Sequence, residues 1–300
     1  CEWRKTYNLP ILNQDIKRNT MSDLFKKKAT WIPELNSFPS DVGLRSCHMS
    51  MASKAKDKLP HCILEIGESG EGEDYSSSSN KKPKSKDLEE YIRPAQIMSD
   101  SFLAADFKFG LKNGISGGMF FAGDPISNAN GRKQAELFVD HLMTGKGKTW
   151  HDDGTLSAGM RLTPEVKSFT KRICADFKSL MQSKFGYFWN IKLSGRKYNN
   201  ISFSFGSSPT LKGLVGGTQK TVVSVENISY QTFHRTWSAN LILHIEDDFG
   251  VSESDVTNPR GASAWVAKPL LADFWVLQHQ RGKKPFITVF DIPFSCSGSY

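Results

Sequence analysis

The chain has 300 residues, of which 38% are hydrophobic and 23% charged, and its formal net charge is +8. This length fits two ordinary domains or one large domain, and the apolar fraction is enough for a buried core. The sequence contains no apolar run near the roughly 20 residues that span a bilayer, and its composition excludes a collagen, a coiled coil and a wholly disordered chain.

Residues 1–90 differ in composition from the rest of the chain. Residues 1–66 combine scattered prolines with a lysine run at 26–28 and weak periodicity, which predicts an extended docking segment. The next stretch is rich in glycine and glutamate, then contains four consecutive serines, and ends in a lysine-rich run. It has so few apolar residues that their burial could not offset the conformational entropy that the segment would lose on folding. We therefore predict a flexible linker over 67–90 and a globular domain over 91–300.

The globular part begins with helical patterns. Asp87 is a typical N-cap, and Pro94 ends a predicted short helix over 87–92. Residues 110–131 contain six glycines, and the stretch from Gly114 to Gly123 predicts a turn-rich loop, with a backbone anion-binding nest as the alternative. Asn130 then opens a helix over 132–144.

The clearest helix signal begins at Thr163, an N-cap followed by Pro164 and Glu165. Apolar residues then recur at helical spacing, which predicts a face turned to the core. The members of this stripe are Val166, Phe169, Ile173, Phe177 and Leu180.

After residue 200 the spacing between apolar residues changes from about four residues, which is typical of helices, to two, which is typical of strands. The alternation predicts a strand over 201–205, a long antiparallel hairpin from 221–228 and 237–246, and a final strand over 286–292. A last helix is predicted from Pro269 to Gly282. The predicted fold class is α+β, with a helical N-terminal half packed on a C-terminal antiparallel sheet.

The strongest chemical pattern lies at the end of the second hairpin strand. If 237–246 is a strand, His244 and Glu246 share the face opposite the apolar one, and Asp247 and Asp248 follow at its end. Adjacent carboxylates can bind a divalent cation such as Mg²⁺ or Ca²⁺, activate water or raise one another's pKa. The alternative is a strand-terminal turn in which the aspartates cap backbone N–H groups.

His279 and Arg281 close the last predicted helix. They could supply an acid or base and a phosphate-binding cation, or they could compensate the helix dipole. Nucleic acid is disfavoured as a partner, because the basic runs lie in 1–90 without interleaved aromatic residues. Five widely spaced cysteines predict no disulfide framework.

The C-terminal third resembles a family of uncharacterised domains in enterobacteria and pseudomonads. The resemblance rests on Asp247-Asp248-Phe249-Gly250-Val251 with Asp255, then Phe274-Trp275-Val276-Leu277-Gln278-His279, then the Lys284-Pro285-Phe286 tail. Such domains look like polymorphic-toxin or type VI secretion cargo. This chain has Asp248 where that pattern has histidine.

The arrangement is also similar to the colicin M type of bacteriocin, whose signature is Asp-x-Tyr-Asp followed by His-Arg. Here Glu246, Asp247 and Asp248 offer the acids without the tyrosine, and the His234-Arg235 pair lies upstream. This resemblance implies an antibacterial toxin that reaches the periplasm of a target bacterium and hydrolyses a lipid-linked pyrophosphate, a peptidoglycan precursor. Asp247 and Asp248 would bind metal or activate water, His244 or His279 would transfer protons, and Arg281 would neutralise phosphate.

The implied partners are an immunity protein, a secretion or carrier protein that contacts 1–90, and an anionic lipid-linked substrate or membrane surface. Two alternatives stay open. One is a toxin that permeabilises the membrane without enzymatic activity. The other is a structural adaptor of a secretion particle.

Overall fold

The computed structural model describes residues 61–117, 124–184, 191–231, 233–258 and 264–299, and within them the side chains of 115–117 and 264–267 are not described. These residues belong to one unit of the chain, Lys54–Tyr300. The docking segment predicted over 1–66 therefore lies almost wholly outside the described ranges.

A five-stranded sheet organises the described part of the chain, in the order β1-β3-β4-β5-β2. All neighbours are antiparallel except the short β2, which runs parallel to β5. The strands are β1 (His61–Gly67), β2 (Trp150–His151), β3 (Lys220–Gln231), β4 (Thr236–Phe249) and β5 (Phe286–Ser299). The predicted α+β class is confirmed.

The predicted hairpin is confirmed as β3 and β4, and it is longer than its apolar pattern indicated. Its register runs from Lys220 opposite Glu246 to Gln231 opposite Thr236. Odd-numbered residues of β4, such as Leu243 and Ile245, are buried, whereas the even-numbered ones are partly or fully exposed. We call these two sides of the sheet the inner and the outer face.

Eight α-helices occur in the described ranges. They are α1 (Lys86–Gln96), α2 (Asp100–Gly117), α3 (Asn128–Thr144), α4 (Thr155–Leu162), α5 (Pro164–Ser183), α6 (Pro209–Leu214), α7 (Glu253–Thr257) and α8 (Ala264–His279). None of these helices is long and apolar enough to cross a bilayer.

Helix α5 begins where the sequence predicts. The Thr163 hydroxyl accepts from the Val166 N–H at 3.3 Å, and Pro164 occupies the first turn, where a missing N–H costs nothing. The predicted stripe is buried except Leu180, which is half-exposed because the neighbouring Met181 takes the inward position.

The loop predicted over 114–123 is wrong for its first part, because α2 continues through the glycine-rich stretch to Gly117. A Cβ atom at Gly110 would lie 2.1 Å from the Leu270 side chain. This glycine therefore permits close packing of α2 against α8 and does not mark a turn. Residues 118–123 lie outside the described ranges.

Three other boundaries differ from prediction. Pro94 lies inside α1, which continues past its predicted end to Gln96, and Pro269 lies inside α8, which begins earlier than predicted, at Ala264. Residues 201–205 form a single bridge, Ser202 to Gly217, and no strand. Ile201 and Phe203 are nevertheless buried, so their alternation reflects packing without sheet pairing.

Aromatic rings join the helices to the inner face of the sheet. The Phe249 ring lies 5.0 Å from Phe138 of α3 and 5.0 Å from Phe286 of β5, and Phe107 of α2 lies 4.8 Å from Phe274 of α8. Burial of each such side chain contributes about 1.5–3 kcal/mol to folding, so this cluster is a principal support of the fold.

The structure contains a disulfide that the cysteine spacing did not predict. Cys174 on α5 is bonded to Cys296 on β5, with Cα atoms 5.5 Å apart and a sequence separation of 122. The pairing depends on how α5 packs against β5, which sequence spacing does not reveal.

Candidate functional site

His244 lies on the outer face of β4 and is the centre of the candidate site. Strand alternation places Glu246 beside it on the same face, as predicted. The antiparallel register places Asp291 of β5 directly opposite His244. Cross-strand neighbours approach within about 5.5 Å, close enough for their side chains to meet.

The imidazole ring is bonded on both sides. Nδ1 lies 2.7 Å from Asp291 Oδ1, and Nε2 lies 3.0 Å from Glu246 Oε1. The other oxygen of Glu246 accepts a hydrogen bond from the Ser69 hydroxyl. We call Ser69, Glu246, His244 and Asp291 the His244 cluster.

Burial within the cluster decreases toward Asp291. The side chains of His244 and Glu246 are 16% and 19% exposed, whereas Asp291 is 61% exposed. Asp291 is therefore the partner that a ligand can displace from the imidazole most easily.

The charges of the cluster are strongly coupled. Burial disfavours the charged imidazole, but hydrogen bonds and charges from Asp291 and Glu246 outweigh it and raise the pKa of His244 to about 9. The hydrogen bond from His244 lowers the pKa of Glu246 to about 2, although burial opposes this. At neutral pH the cluster holds an imidazolium between two carboxylates.

Residues 68–84, which we call the strap, cross the outer face beside the cluster. Gly70 N–H donates to both carboxylate oxygens of Asp248, at 2.9 and 3.1 Å. A Cβ atom at Gly250 would lie 1.7 Å from the Asp74 carbonyl oxygen, so only glycine permits this close crossing.

The far end of the strap is bound to α8. Gln278 donates to the carbonyl oxygens of Asp74 and Ser76, at 3.0 and 2.7 Å, and accepts from Val251 N–H at 2.9 Å. Lys81 N–H donates to the His279 carbonyl oxygen at 2.9 Å. These contacts fix a segment that the sequence predicts as a flexible linker, and β1 immediately before it belongs to the sheet. The division of the chain into domains at 66 and 90 stays a prediction.

Asp247 and Asp248 lie inside β4, which continues to Phe249, and not in a turn at its end. Because side chains alternate along a strand, the two carboxylates project from opposite faces. Asp247 is 4% exposed, and burial, followed by the charge of Asp248, raises its pKa well above the usual range. Burial also raises the pKa of Asp248, against the hydrogen bond from Gly70.

This separation bears on the predicted metal site. Two ligands of one cation must converge, and adjacent residues of a regular strand do not. No group of three or more His, Cys, Asp or Glu side chains in the described ranges is arranged to hold a metal ion. A divalent cation stays a prediction.

His279 is fully buried in α8. Its Nε2 lies 2.8 Å from the Val251 carbonyl oxygen, Nδ1 has no hydrogen-bond partner among the described residues, and burial lowers the pKa of the ring. The ring is therefore neutral and donates through Nε2. The structure does not bring it to the His244 cluster.

Arg281 reaches the connection between α1 and α2. Its Nη2 donates to the Gln96 carbonyl oxygen at 2.9 Å, and its Nε lies 3.6 Å from Asp100 Oδ1. Its contacts fasten α8 to this connection and include no member of the His244 cluster. The predicted phosphate-binding role of Arg281 stays a prediction.

Sequence reasoning missed two members of the cluster. Ser69 lies in the segment that was predicted as a linker, and nothing local marks it. Asp291 does carry a signal, because it is the one charged residue in the apolar run of the strand predicted over 286–292.

Comparison with known proteins gave one low-level structural similarity. No family model and no curated protein matches the chain. Among solved structures, it is similar to PaeM, a colicin M-like bacteriocin produced by Pseudomonas aeruginosa, with 17% identity and a TM-score of 0.32. The match covers 56% of this chain and 52% of PaeM, so the chain spans about half the length of that protein. A TM-score this low assigns neither a fold nor an activity.

Proposed function

We propose that this chain is a bacteriocin-like antibacterial toxin that acts on the cell envelope and hydrolyses a lipid-linked pyrophosphate, a peptidoglycan precursor. The observation that supports the chemistry is the His244 cluster, in which an imidazolium is held between Glu246 and the exposed Asp291 on the outer face of the sheet. The toxin assignment also rests on the resemblance of the C-terminal third.

The cluster offers an acid for phosphate chemistry. A phosphate oxygen replaces the exposed Asp291 carboxylate at Nδ1, and Glu246 keeps the ring charged and oriented through Nε2. Water forms a new bond to phosphorus, and the bond from phosphorus to the leaving oxygen breaks. His244 gives its Nδ1 proton to the leaving oxygen, and the attacking water gives a proton to Asp291. Return of that proton to His244 restores the starting state.

The disulfide supports action outside the cytoplasm. Disulfides persist in oxidising compartments such as the periplasm and are rare in the cytosol. The bond between Cys174 and Cys296 fits a protein delivered to the periplasm of a target bacterium. The net charge of +8 favours an anionic envelope surface and an acidic immunity protein in the producing cell.

The test is growth of a Gram-negative bacterium that expresses the chain with and without a periplasmic signal peptide. We expect lysis from the periplasm alone and loss of lipid-linked precursor from isolated membranes. His244→Gln should lower the rate of precursor hydrolysis at least about 100-fold, because it removes the acid. His151→Gln is the matched control, since His151 is exposed on the same sheet at β2.

Three results would overturn the proposal. The first is full toxicity of a folded His244→Gln variant. The second is killing from the cytoplasm alone. The third is leakage of dye from anionic vesicles without precursor hydrolysis, which would favour the permeabilising alternative.

A further inference from the structure

The outer face of the sheet continues beyond the His244 cluster toward the turn between β3 and β4. There the register aligns residues of β3, β4 and β5 in three rows. The rows are Asn227–Asn240–Ser295, Ser229–Ser238–Ser297 and Gln231–Thr236–Ser299. We call these nine residues the amide–hydroxyl face.

All nine side chains are uncharged amides or hydroxyls, and all are exposed except Thr236, which is half-exposed. Charged residues make up 23% of the chain, and solvated sheet faces ordinarily include them. The nearest charged residues along the strands are Glu226, at the bulge that precedes Asn227, and Arg235 in the turn. The face is thus neutral within a basic protein and suits an uncharged polar ligand.

Hydrogen bonds within the rows set the orientation of the polar groups. The hydroxyls of Ser229 and Ser238 are 2.7 Å apart, and the Ser295 hydroxyl donates to Asn240 Oδ1 at 3.0 Å. The Asn240 oxygen is therefore engaged, which leaves its NH₂ group to donate to a ligand. Asn227 and Gln231 present further amide groups at the β3 edge of the same face.

Two apolar residues, Ile242 and Pro293, separate this face from the His244 cluster, in a row that begins with the buried Ser224 of β3. Ile242 of β4 lies opposite Pro293 of β5, and the following row is His244 with Asp291. Alternate residues along a strand are about 6.8 Å apart and strands about 4.8 Å apart, so the three rows cover roughly 10 by 14 Å. A sugar ring combines an apolar face with a rim of hydroxyl groups, which matches this order of polar and apolar rows.

We infer that the amide–hydroxyl face binds a neutral oligosaccharide of N-acetylated hexosamines. The side-chain amides of asparagine and glutamine can form hydrogen bonds with acetamido groups, because both kinds of group carry an N–H donor and a C=O acceptor. The serine hydroxyls bind the ring hydroxyls, and Ile242 with Pro293 contacts an apolar sugar face. A saccharide bound here extends along β4 toward His244. This binding function goes beyond the proposed hydrolysis and does not require turnover.

The test is a titration of the full chain, labelled with ¹⁵N, with tri-N-acetylchitotriose. We expect the trisaccharide to change the chemical shifts of backbone amides only in the three rows, at Ile242 and at the residues next to Pro293. Maltotriose, which lacks acetamido groups, should bind at least about tenfold more weakly.

Two substitutions make the test specific. Asn240→Asp keeps the size and the acceptor but replaces the donor with a charge, and it should weaken binding of the trisaccharide at least about tenfold. Asn113→Asp makes the same change at an exposed position of α2 and should leave binding unchanged. No shift in the rows, equal binding of maltotriose, or full affinity of Asn240→Asp would overturn the inference.

A third variant separates this inference from the proposed function. His244→Gln should bind the trisaccharide like the unmodified chain even where it hydrolyses no precursor. Loss of hydrolysis with binding retained supports both conclusions. Binding by a chain that never hydrolyses precursor would leave the saccharide site standing and remove the enzymatic proposal.

Discussion

His244 and Asp291 face each other across β4 and β5, with Nδ1 2.7 Å from Oδ1. On the other side of the ring, Glu246 Oε1 lies 3.0 Å from Nε2. Because the ring is largely buried, these two carboxylates determine its charge more than the solvent does. The pair therefore links the ionisation of the site to the stability of the sheet.

This linkage predicts a loss of stability in alkaline solution. The folded chain holds the His244 proton up to about pH 9, whereas the ordinary imidazole loses it near 6.5. The folded state binds more protons in that interval, so the contribution is complete below pH 6.5 and is lost as the pH rises through about 9. It amounts to at most about 3 kcal/mol. Urea unfolding between pH 6 and 10 measures it.

Asp291→Asn provides the matching test. Removing the carboxylate should lower the pKa of His244 from about 9 toward 6.5, as read from the imidazole proton shifts by NMR. The shifts of His151, which lies on the same sheet, should not change. A His244 pKa that stays near 9 in the variant would show that Asp291 does not stabilise the imidazolium.

Local sequence patterns were sufficient to predict those elements that depend on interactions between residues close together in the sequence. The Thr163 cap and the alternation of β4 follow from short-range rules, and both are confirmed. The strap could not be predicted in this way, because its order depends on partners far along the chain. Ser69 and Gln278 illustrate this, since each bonds to a residue more than 170 positions away.

The candidate site was predicted only in part for a related reason. Alternation alone places His244 beside Glu246, but Asp291 enters through the register of β4 against β5. The same alternation separates Asp247 from Asp248 once β4 is seen to extend past both. The error lay in the predicted end of the strand, which decided whether the two carboxylates could converge.

Removal of the disulfide should destabilise the fold. Replacing Cys174 and Cys296 together with alanine frees a loop of 122 residues, and the expected cost is about 3–5 kcal/mol from the entropy of the unfolded chain. Urea unfolding with and without reductant measures it. Reductant should lower the midpoint of the unmodified chain but not that of the double variant. Cys62→Ala, which leaves the disulfide intact, is the control and should behave like the unmodified chain. If reductant did not change the urea midpoint of the unmodified chain, the prediction would be wrong.

Asp273 is a source of instability in α8. It is 6% exposed, its Oδ2 has no hydrogen-bond partner in the described part of the chain, and burial together with Asp106 raises its pKa to about 7. The folded chain therefore holds a proton that the unfolded chain releases near pH 3.8, so stability falls as the pH rises from about 4 to 7. Asp273→Asn should increase the free energy of unfolding at pH 8 by about 1–3 kcal/mol.

The measurement for Asp273→Asn is urea unfolding at pH 4 and pH 8. The gain should be small at pH 4, because the destabilisation accumulates only as the pH rises above the unfolded pKa of 3.8 toward the folded value of about 7. Glu90→Gln, at an exposed position of α1, should change neither value. An equal effect of Asp273→Asn at both pH values would show that ionisation is not its cause.

Gln278 should control the order of the strap. Its side chain is fully buried and forms three hydrogen bonds, two of them to the carbonyl oxygens of Asp74 and Ser76. Gln278→Leu leaves these groups without partners and should cost about 2–4 kcal/mol, with faster tryptic cleavage at Lys81. Gln182→Leu, exposed on α5, is the control. If trypsin cleaved the strap of the Gln278→Leu variant no faster than that of the unmodified chain, other contacts would be sufficient to hold the strap. The expected rapid cleavage would instead identify this glutamine as the residue that holds the strap in place and so keeps Ser69 beside Glu246.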